Sequence, residues 1–446
     1  MLRVFSKHSR ILVDRMRVVI IGGGVAGTRT ALELRRLSED TEVLLIDSRE
    51  SIGHSPCSLP YFMCGEIEES RIFTTKPETL EENGVKLLLG KKVRDIDIQN
   101  KKVICDEEVE YDKLVLALGS RPFIPPIKGI EEVEFFTLST PHDARRILRA
   151  VERGGRVAVI GAGMIGVEIA EALVKRGVEV TLIDIAEQIL PGVLDPDMSR
   201  ELEDYLKERG VEILLGRNVK SVKYKEIRTD KENISYDTLI LVTGRVPNKE
   251  LAERSGLKCG KGIKVNEYLE VVKDVFACGD CVEYEELLTG ATIPSTLATN
   301  AVKQARVVAA NILGEGKALE PLLMNSVSKV GDLYIGSCGI SSAIAKRCGM
   351  KVMSAKREYR PLSHYVDTGG RVLGKMLCGE DGRILGAQFI GEENISETLN
   401  LVSVMIRMGV KVQDIERFDF NYNPLVADVT HPLFILAKIC SRKMGR

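Results

Sequence analysis

The sequence predicts an α/β fold: two doubly wound, parallel-sheet units in tandem, closed by an α+β tail. Three observations carry that expectation. First, Gly22-Gly23-Gly24-Val25-Ala26-Gly27 follows the apolar run Val18-Val19-Ile20-Ile21, and Gly161-Ala162-Gly163-Met164-Ile165-Gly166 follows Val157-Ala158-Val159-Ile160. Second, each such segment is followed by a strand that ends in an acid. Asp47 lies twenty residues past Gly27 and Asp184 eighteen past Gly166. Third, strands and helices alternate early in the chain, whereas from about Met324 onward the strands are short and less regularly spaced.

In order along the chain, residues 16–47 read as strand, helix, strand. An insertion bearing Cys57 follows, then a hairpin-like stretch over Lys86–Ile104. Tyr111–Ser120 reads as a buried strand ending in the turn Ala117-Leu118-Gly119, and Arg121–Pro126 as a Pro-rich linker. Residues 128–249 repeat the pattern around the second glycine segment, with a closing strand over Thr238–Thr243 that runs into Gly244-Arg245-Val246-Pro247-Asn248. Val275–Asp280 is another strand, and a helix is expected over Ser295–Leu313. The tail should hold strands at Arg371–Cys378 and Ile384–Ile390 and a helix over Ser396–Met408. Residues 16–127 and 251–323 are thus assigned to the first unit, 128–250 to the second and 324–446 to the tail.

The spacing G-x-G-x-x-G at a strand-to-helix turn marks a Rossmann-like dinucleotide-binding site. Its glycines make the tight turn, let backbone approach a pyrophosphate and allow close helix–strand packing. The helix N-terminus offers free N–H groups to the phosphates. Gly22, Gly24, Gly27 and Asp47 form one candidate set; Gly161, Gly163, Gly166 and Asp184 form the other. A strand-end Asp accepts hydrogen bonds from a ribose 2′-hydroxyl, or is simply solvated. Asp184 would repel a 2′-phosphate and no Arg follows it within Ile185–Leu190, which favours NADH over NADPH at the second site. Two dinucleotides in one chain suggest electrons passing from one to the other.

Composition bounds the partners. A formal net charge of −1 gives no global attraction to nucleic acid or to an acidic membrane. No apolar stretch approaches the ~20 residues of a membrane span. Residues 1–15 lack the apolar core of a signal peptide and read as a frayed basic arm or an early translation start. The 10 cysteines form no short disulfide framework, so a reduced, cytoplasmic setting is expected. Cys278-x-x-Cys281 has no second pair to complete a zinc site, and no metal is expected.

Taken together, the two fingerprints, the Ala117-Leu118-Gly119 turn, Gly244-Arg245-Val246-Pro247-Asn248 and Ala277-Cys278-Gly279-Asp280 resemble the FAD-dependent pyridine nucleotide–disulfide oxidoreductases, over nearly the whole chain from Met16. The resemblance implies FAD at the first fingerprint and NAD(P)H at the second. It places Ala117, Gly119, Gly244, Asp280 and Ala298 against the cofactors, Asp280 at the ribityl–phosphate region, and Glu168 near the nicotinamide. It makes the tail a dimerisation domain and the protein a homodimer. Pro56-Cys57-Ser58-Leu59-Pro60-Tyr61 lacks the C-x-x-x-x-C of glutathione and lipoamide reductases and resembles the single-cysteine branch of coenzyme A-disulfide reductases and NADH oxidases. Cys64, seven residues on, would stand about 10 Å away along a helix, beyond disulfide reach.

In that branch Cys57 is the redox centre, and a helix N-terminus beside it would lower its thiol pKa. A small buried residue is the other role open to it. Tyr422, in Tyr422-Asn423-Pro424, resembles a tyrosine that reaches the partner's active site, with Tyr365 as a second; either is otherwise interface packing. Three departures narrow the chemistry. Val25 and Ala26 stand where peroxidases of this branch carry a His. Arg36 matches one basic contact to coenzyme A, but Glu81-Glu82-Asn83-Gly84 replaces the later basic cluster. His431-Pro432 resembles a catalytic pair of two-cysteine reductases without its acidic partner. The leading reading is an NAD(P)H-dependent flavoprotein that reduces a low-molecular-weight disulfide, CoA disulfide or polysulfide through Cys57, with oxygen as a side acceptor. The alternatives are an electron-transfer flavoprotein of rubredoxin or ferredoxin reductase type, with Cys57 a bystander, and a redox-sensing flavoprotein.

Overall fold

A computed structural model describes residues 15–152, 154–366 and 369–445; the arm at residues 1–14 lies outside them. The first unit is a 6-stranded sheet. Its centre is the strand Arg17–Ile21, flanked in parallel by Glu42–Ile46 and Lys113–Leu116. These strands are apolar because both faces are covered. Helix Val25–Leu37 packs on one face together with helix Ala298–Ile312, which follows the second unit in sequence. Val85–Leu88 extends this sheet in parallel with Glu42–Ile46 and is not one arm of a hairpin. The antiparallel meander begins later, over Asp95–Asp97, Lys102–Ile104 and Glu108–Glu110. The turn between Leu88 and Asp95 is too long for a direct hairpin, and the sheet edge beside Val43 takes the first arm instead.

The second unit is a 4-stranded parallel sheet in the order Val211–Leu214, Glu179–Ile183, Arg156–Ile160, Thr238–Leu241. The Pro-rich stretch between the units is more than a linker. Ser120–Pro122 pairs antiparallel with Arg245–Pro247, so the entry to the second unit and the exit from it form one two-stranded ribbon. The tail is a 5-stranded antiparallel sheet with helices Ser396–Arg407 and Pro432–Lys443 packed on it.

The Cys57 segment is anchored by its apolar residues. Helix Leu59–Met63 starts with Pro60 in its first turn, where a missing N–H costs nothing. Leu59 and Met63 are fully buried in the core of the second unit, alongside Val167, Ile169 and Leu173 of helix Met164–Val174 and Val330 of the tail. Burying each such side chain is worth about 1.5–3 kcal/mol. The first unit thus inserts its cysteine loop between the other two.

Candidate active site

The two fingerprints have the same backbone geometry. Gly22 and Gly161 sit at φ +112° and +113°, and a Cβ on either would meet a carbonyl oxygen, at 2.1 Å from Ala117 and 2.4 Å from Val242. A Cβ on Gly27 or Gly166 would lie 1.8 or 1.9 Å from the carbonyl of the first glycine. Gly24 and Gly163 differ: nothing lies within 4 Å of their Cβ positions. They are the N-cap residues of helices Val25–Leu37 and Met164–Val174, and no side chain caps either helix. Each crevice therefore combines an open space beside a glycine with unsatisfied helix N–H groups, the cradle a pyrophosphate fills.

The acids at the strand ends are held differently. Asp47 is buried; it accepts from Gly23 N at 2.6 Å, and Arg49 contributes its backbone N at 2.8 Å, Nε at 2.9 Å and Nη2 at 2.8 Å. Burial pushes its carboxyl up, but the Arg49 contacts and the Gly23 N–H outweigh that and hold it below the usual range. Asp184 accepts only backbone N–H groups, from Ala162 at 2.5 Å and Ala186 at 2.8 Å, and no Lys or Arg among the described residues pairs with it. Ala117 follows the strand Lys113–Leu116, and Gly119 and Gly244 adopt positive φ with open space beside them. Ala298 begins its 15-residue helix, which no side chain caps. Ser295 Oγ, Asn300 Nδ2 and Gln304 Nε2, near the head of that helix, are buried without a hydrogen-bond partner. Such groups carry a desolvation penalty until something polar meets them. The first crevice, with its open glycine cradle and these orphaned polar groups, fits a flavin dinucleotide.

Cys57 lies in the single tight turn Pro56–Ser58, which Ser58 Oγ closes by donating to the Ser55 carbonyl at 2.7 Å. It opens onto the crevice, yet the walls around it push its thiol up by burial. The negative charges of Glu168 and Asp280 add to that shift, and Arg245 opposes it. The lowered pKa expected from a helix N-terminus is therefore not found. The helix after Cys57 has 5 residues, too short to carry a strong dipole against burial and the two carboxyls that add to it. Burial raises Glu168 to about 7; its one side-chain partner is Ser328 Oγ, which donates to Oε1. Asp280 is also raised by burial, and accepts from Ser120 Oγ at 2.9 Å.

Arg245 is the functional candidate that residue patterns alone did not single out. Its Nε donates to Ser120 Oγ at 2.8 Å, Nη2 to the Ser120 carbonyl at 2.6 Å and Nη1 to Ser139 Oγ at 3.0 Å. It bridges both strands of the inter-unit ribbon and faces Cys57. The available signal was its place between Gly244 and the prolyl turn. Tyr61 and Ser328 were also passed over, although Tyr61 stands inside the cysteine motif.

The tail brings Tyr365 and Tyr422 together, hydroxyl to hydroxyl at 2.7 Å. Both are exposed, beside the exposed apolar residues Leu425, Val426 and Val429. Arg36 is exposed and engaged with Glu33 at 2.8 Å. Cys64 is free and donates to the Tyr61 carbonyl at 3.3 Å. Cys278 and Cys281 are buried, with thiols pushed up to about 12 by burial, as suits packing. His431 caps helix Pro432–Lys443, accepting from Leu433 N at 3.3 Å, and stacks on Phe420; burial holds its imidazole down to about 4.

A resident flavin crevice, a second nucleotide crevice and a cysteine between them define a two-dinucleotide oxidoreductase. Residues 16–305 match the pyridine nucleotide-disulphide oxidoreductase model and residues 326–433 match the dimerisation domain of the same family. The chain belongs to that family, whose members bind FAD and NAD(P)H. It is 36% identical to the NADH oxidase of Methanocaldococcus jannaschii, over 96% of this chain and 100% of that one. It is 32% identical to the CoA-dependent NAD(P)H sulfur oxidoreductase of Pyrococcus furiosus, over 96% and 99% of the two chains. Among solved structures it resembles the NAD-dependent persulfide reductase of A. fulgidus, with a TM-score of 0.93, 29% identity and coverage of 96% and 84%. The chain is an NAD(P)H-dependent flavoprotein oxidoreductase. Among the described residues no helix is long and apolar enough to cross a membrane.

Proposed function

We propose that the protein uses NADH to reduce a low-molecular-weight disulfide, persulfide or polysulfide through Cys57, with oxygen as a side acceptor. The observation that carries this reading is the placement of Cys57, flanked by Asp280 from the first crevice and Glu168 from the second. Cys64 is the nearest cysteine in sequence, and it is not bonded to Cys57. FAD, when bound, supplies two-electron exchange between nicotinamide and sulfur. Gly22, Gly24, Gly27, Asp47, Ala117, Gly119, Asp280 and Ala298 would hold it. Gly161, Gly163, Gly166, Glu168, Asp184 and Gly244 would hold the nicotinamide dinucleotide.

In the acceptor half-reaction the Cys57 thiolate attacks one sulfur of RS–SR. The S–S bond breaks, the leaving RS⁻ takes a proton, and Cys57 remains in a mixed disulfide. Two electrons then cleave that bond, releasing the second thiolate and restoring Cys57. Arg245 stabilises the thiolate against Glu168 and Asp280. The Tyr365–Tyr422 pair supplies the proton across a twofold contact, since its hydroxyls and the apolar residues beside them are exposed in one chain. Asp184, with which no Lys or Arg among the described residues pairs, favours NADH. Arg36, drawn to Glu33, gives a coenzyme A phosphate a weak contact, so small inorganic or organic polysulfides fit better than CoA disulfide.

The test is anaerobic NADH oxidation by the holoenzyme against CoA disulfide, cystine, glutathione disulfide, polysulfide and rubredoxin, with oxygen as a separate arm. Fast turnover with a sulfur acceptor supports the reading. Turnover with rubredoxin alone would replace it with the electron-transfer reading.

A further inference from the structure

One hydroxyl joins all three units. Ser328 lies on the first tail strand, Asn325–Val330, yet it donates to Glu168 of the second unit and sits 3.2 Å from the Tyr61 hydroxyl of the Cys57 segment. Tyr61 donates to the Lys329 carbonyl at 2.9 Å and accepts from Lys329 N at 3.2 Å. The contact between Tyr61 and Ser328 can run in either direction. A narrow gap behind these groups is lined by Tyr61, Cys64, Glu66, Glu168, Glu171 and Lys329. Cys57 faces Glu168 from the crevice side.

Each hydroxyl has one proton to give. With Glu168 ionised, Ser328 must donate to it, and Ser328 is then free to accept from Tyr61. With Glu168 protonated, the chain can reverse: Glu168 donates to Ser328, Ser328 to Tyr61, and Tyr61 to the Lys329 carbonyl. The reversal takes up one proton, the one that neutralises Glu168, and the single Tyr61 proton moves from Ser328 to the Lys329 carbonyl as it does so.

We propose that Ser328 is a positioning residue for Glu168: its hydroxyl orients the carboxyl toward the nicotinamide crevice and, through Tyr61, registers that orientation with the Cys57 segment. Its bearing on NADH chemistry rests on the reading of Glu168 as the nicotinamide-side acid; the hydrogen-bond chain itself does not. Burial raises the Glu168 carboxyl, and the Ser328 bond opposes that rise. Removing the hydroxyl therefore moves its titration further up.

The test is the infrared titration of the Glu168 carboxyl in the oxidised holoenzyme without nucleotide, the band being assigned by its loss in Glu168→Gln. Ser328→Ala should raise the midpoint by on the order of one pH unit, and Ser328→Thr should restore it. Should the Ala variant fail to fold, Ser328→Val is compared with Ser328→Thr, which has the same shape with a hydroxyl. The pH profile of anaerobic flavin reduction by NADH should move with the midpoint. An unmoved midpoint in the Ala or Val variant, or a Thr variant that behaves like Val, overturns the proposal. Wild-type flavin that NADH cannot reduce would overturn the proposed function instead, and the infrared result would still decide the role of Ser328.

Discussion

The two fingerprint crevices share their glycine geometry to within a few tenths of an ångström, yet they treat the dinucleotide-facing acid in opposite ways. Asp47 is buried, and Arg49 clamps it with three hydrogen bonds. Helix Ala298–Ile312 closes the same crevice with orphaned polar groups. Asp184 is half-buried and meets only backbone N–H groups. The first arrangement suits a cofactor that stays; the second suits one that must leave every turnover. A shared loop motif thus encodes pyrophosphate binding, while residence time is set by what packs around it.

The sharpest way to break the comparison is at the cysteine between the crevices. Cys57→Ser should lower turnover with sulfur acceptors by on the order of 10³-fold or more, while NADH still bleaches the flavin in stopped-flow measurements. Full activity with every acceptor would leave Cys57 a bystander. Tyr422→Phe is expected to lower acceptor turnover by about 10²-fold with flavin content and flavin reduction unchanged. A fully active monomer by light scattering would remove the shared site.

The middle glycines test the crevices against each other. Neither Gly24→Ala nor Gly163→Ala places its Cβ against protein, so both variants should fold. Gly24→Ala should emerge with flavin depleted. Gly163→Ala should keep its flavin and show a KM for NADH raised about tenfold, a cost of about 1.4 kcal/mol. Equal flavin loss in both variants would mean that the two sites are not independent. At Asp184 the expected preference is for NADH over NADPH in kcat/KM, narrowed in Asp184→Ala; a wild-type enzyme that prefers NADPH would contradict the charge argument.

The parts of this molecule that repeat locally were readable from residue patterns: both glycine turns, the strands ahead of them, the acids after them, and two of the 5 tail strands, although at 8 residues each these two are long and not the short strands expected there. What was not readable was made by apposition. Ser328 meets Glu168 across 160 residues, and Arg245 meets Ser120 across 125. No periodicity reports such a meeting. The stretch Arg121–Pro126 shows the same limit: prolines signal irregular chain, but Ser120–Pro122 became a strand because Arg245–Pro247 lies beside it. The thiol of Cys57 was misjudged for a related reason. A helix start is visible in sequence, whereas the burial that outweighs it, and the two carboxyls of residues 168 and 280 that add to it, come from distant segments packed around the thiol.

That balance of charge gives the smallest and most discriminating effect. Cys57 titrates above the ordinary thiol range, because burial and then Glu168 and Asp280 disfavour the thiolate. Glu168 itself titrates near 7, so it is ionised over the alkaline range in which the thiol loses its proton. Replacing it with Gln removes a negative charge while keeping the shape, and should lower the Cys57 midpoint by less than about one pH unit. Arg245→Met removes the one cation that opposes those acids and should raise the midpoint. The readout is the pH dependence of iodoacetamide alkylation, followed by mass spectrometry on the peptide that carries Cys57. Shifts of opposite sign would show that the thiol is tuned by this triad of charges. Shifts of the same sign, or none, would mean that burial alone sets the thiol and that the flanking charges serve only the cofactors.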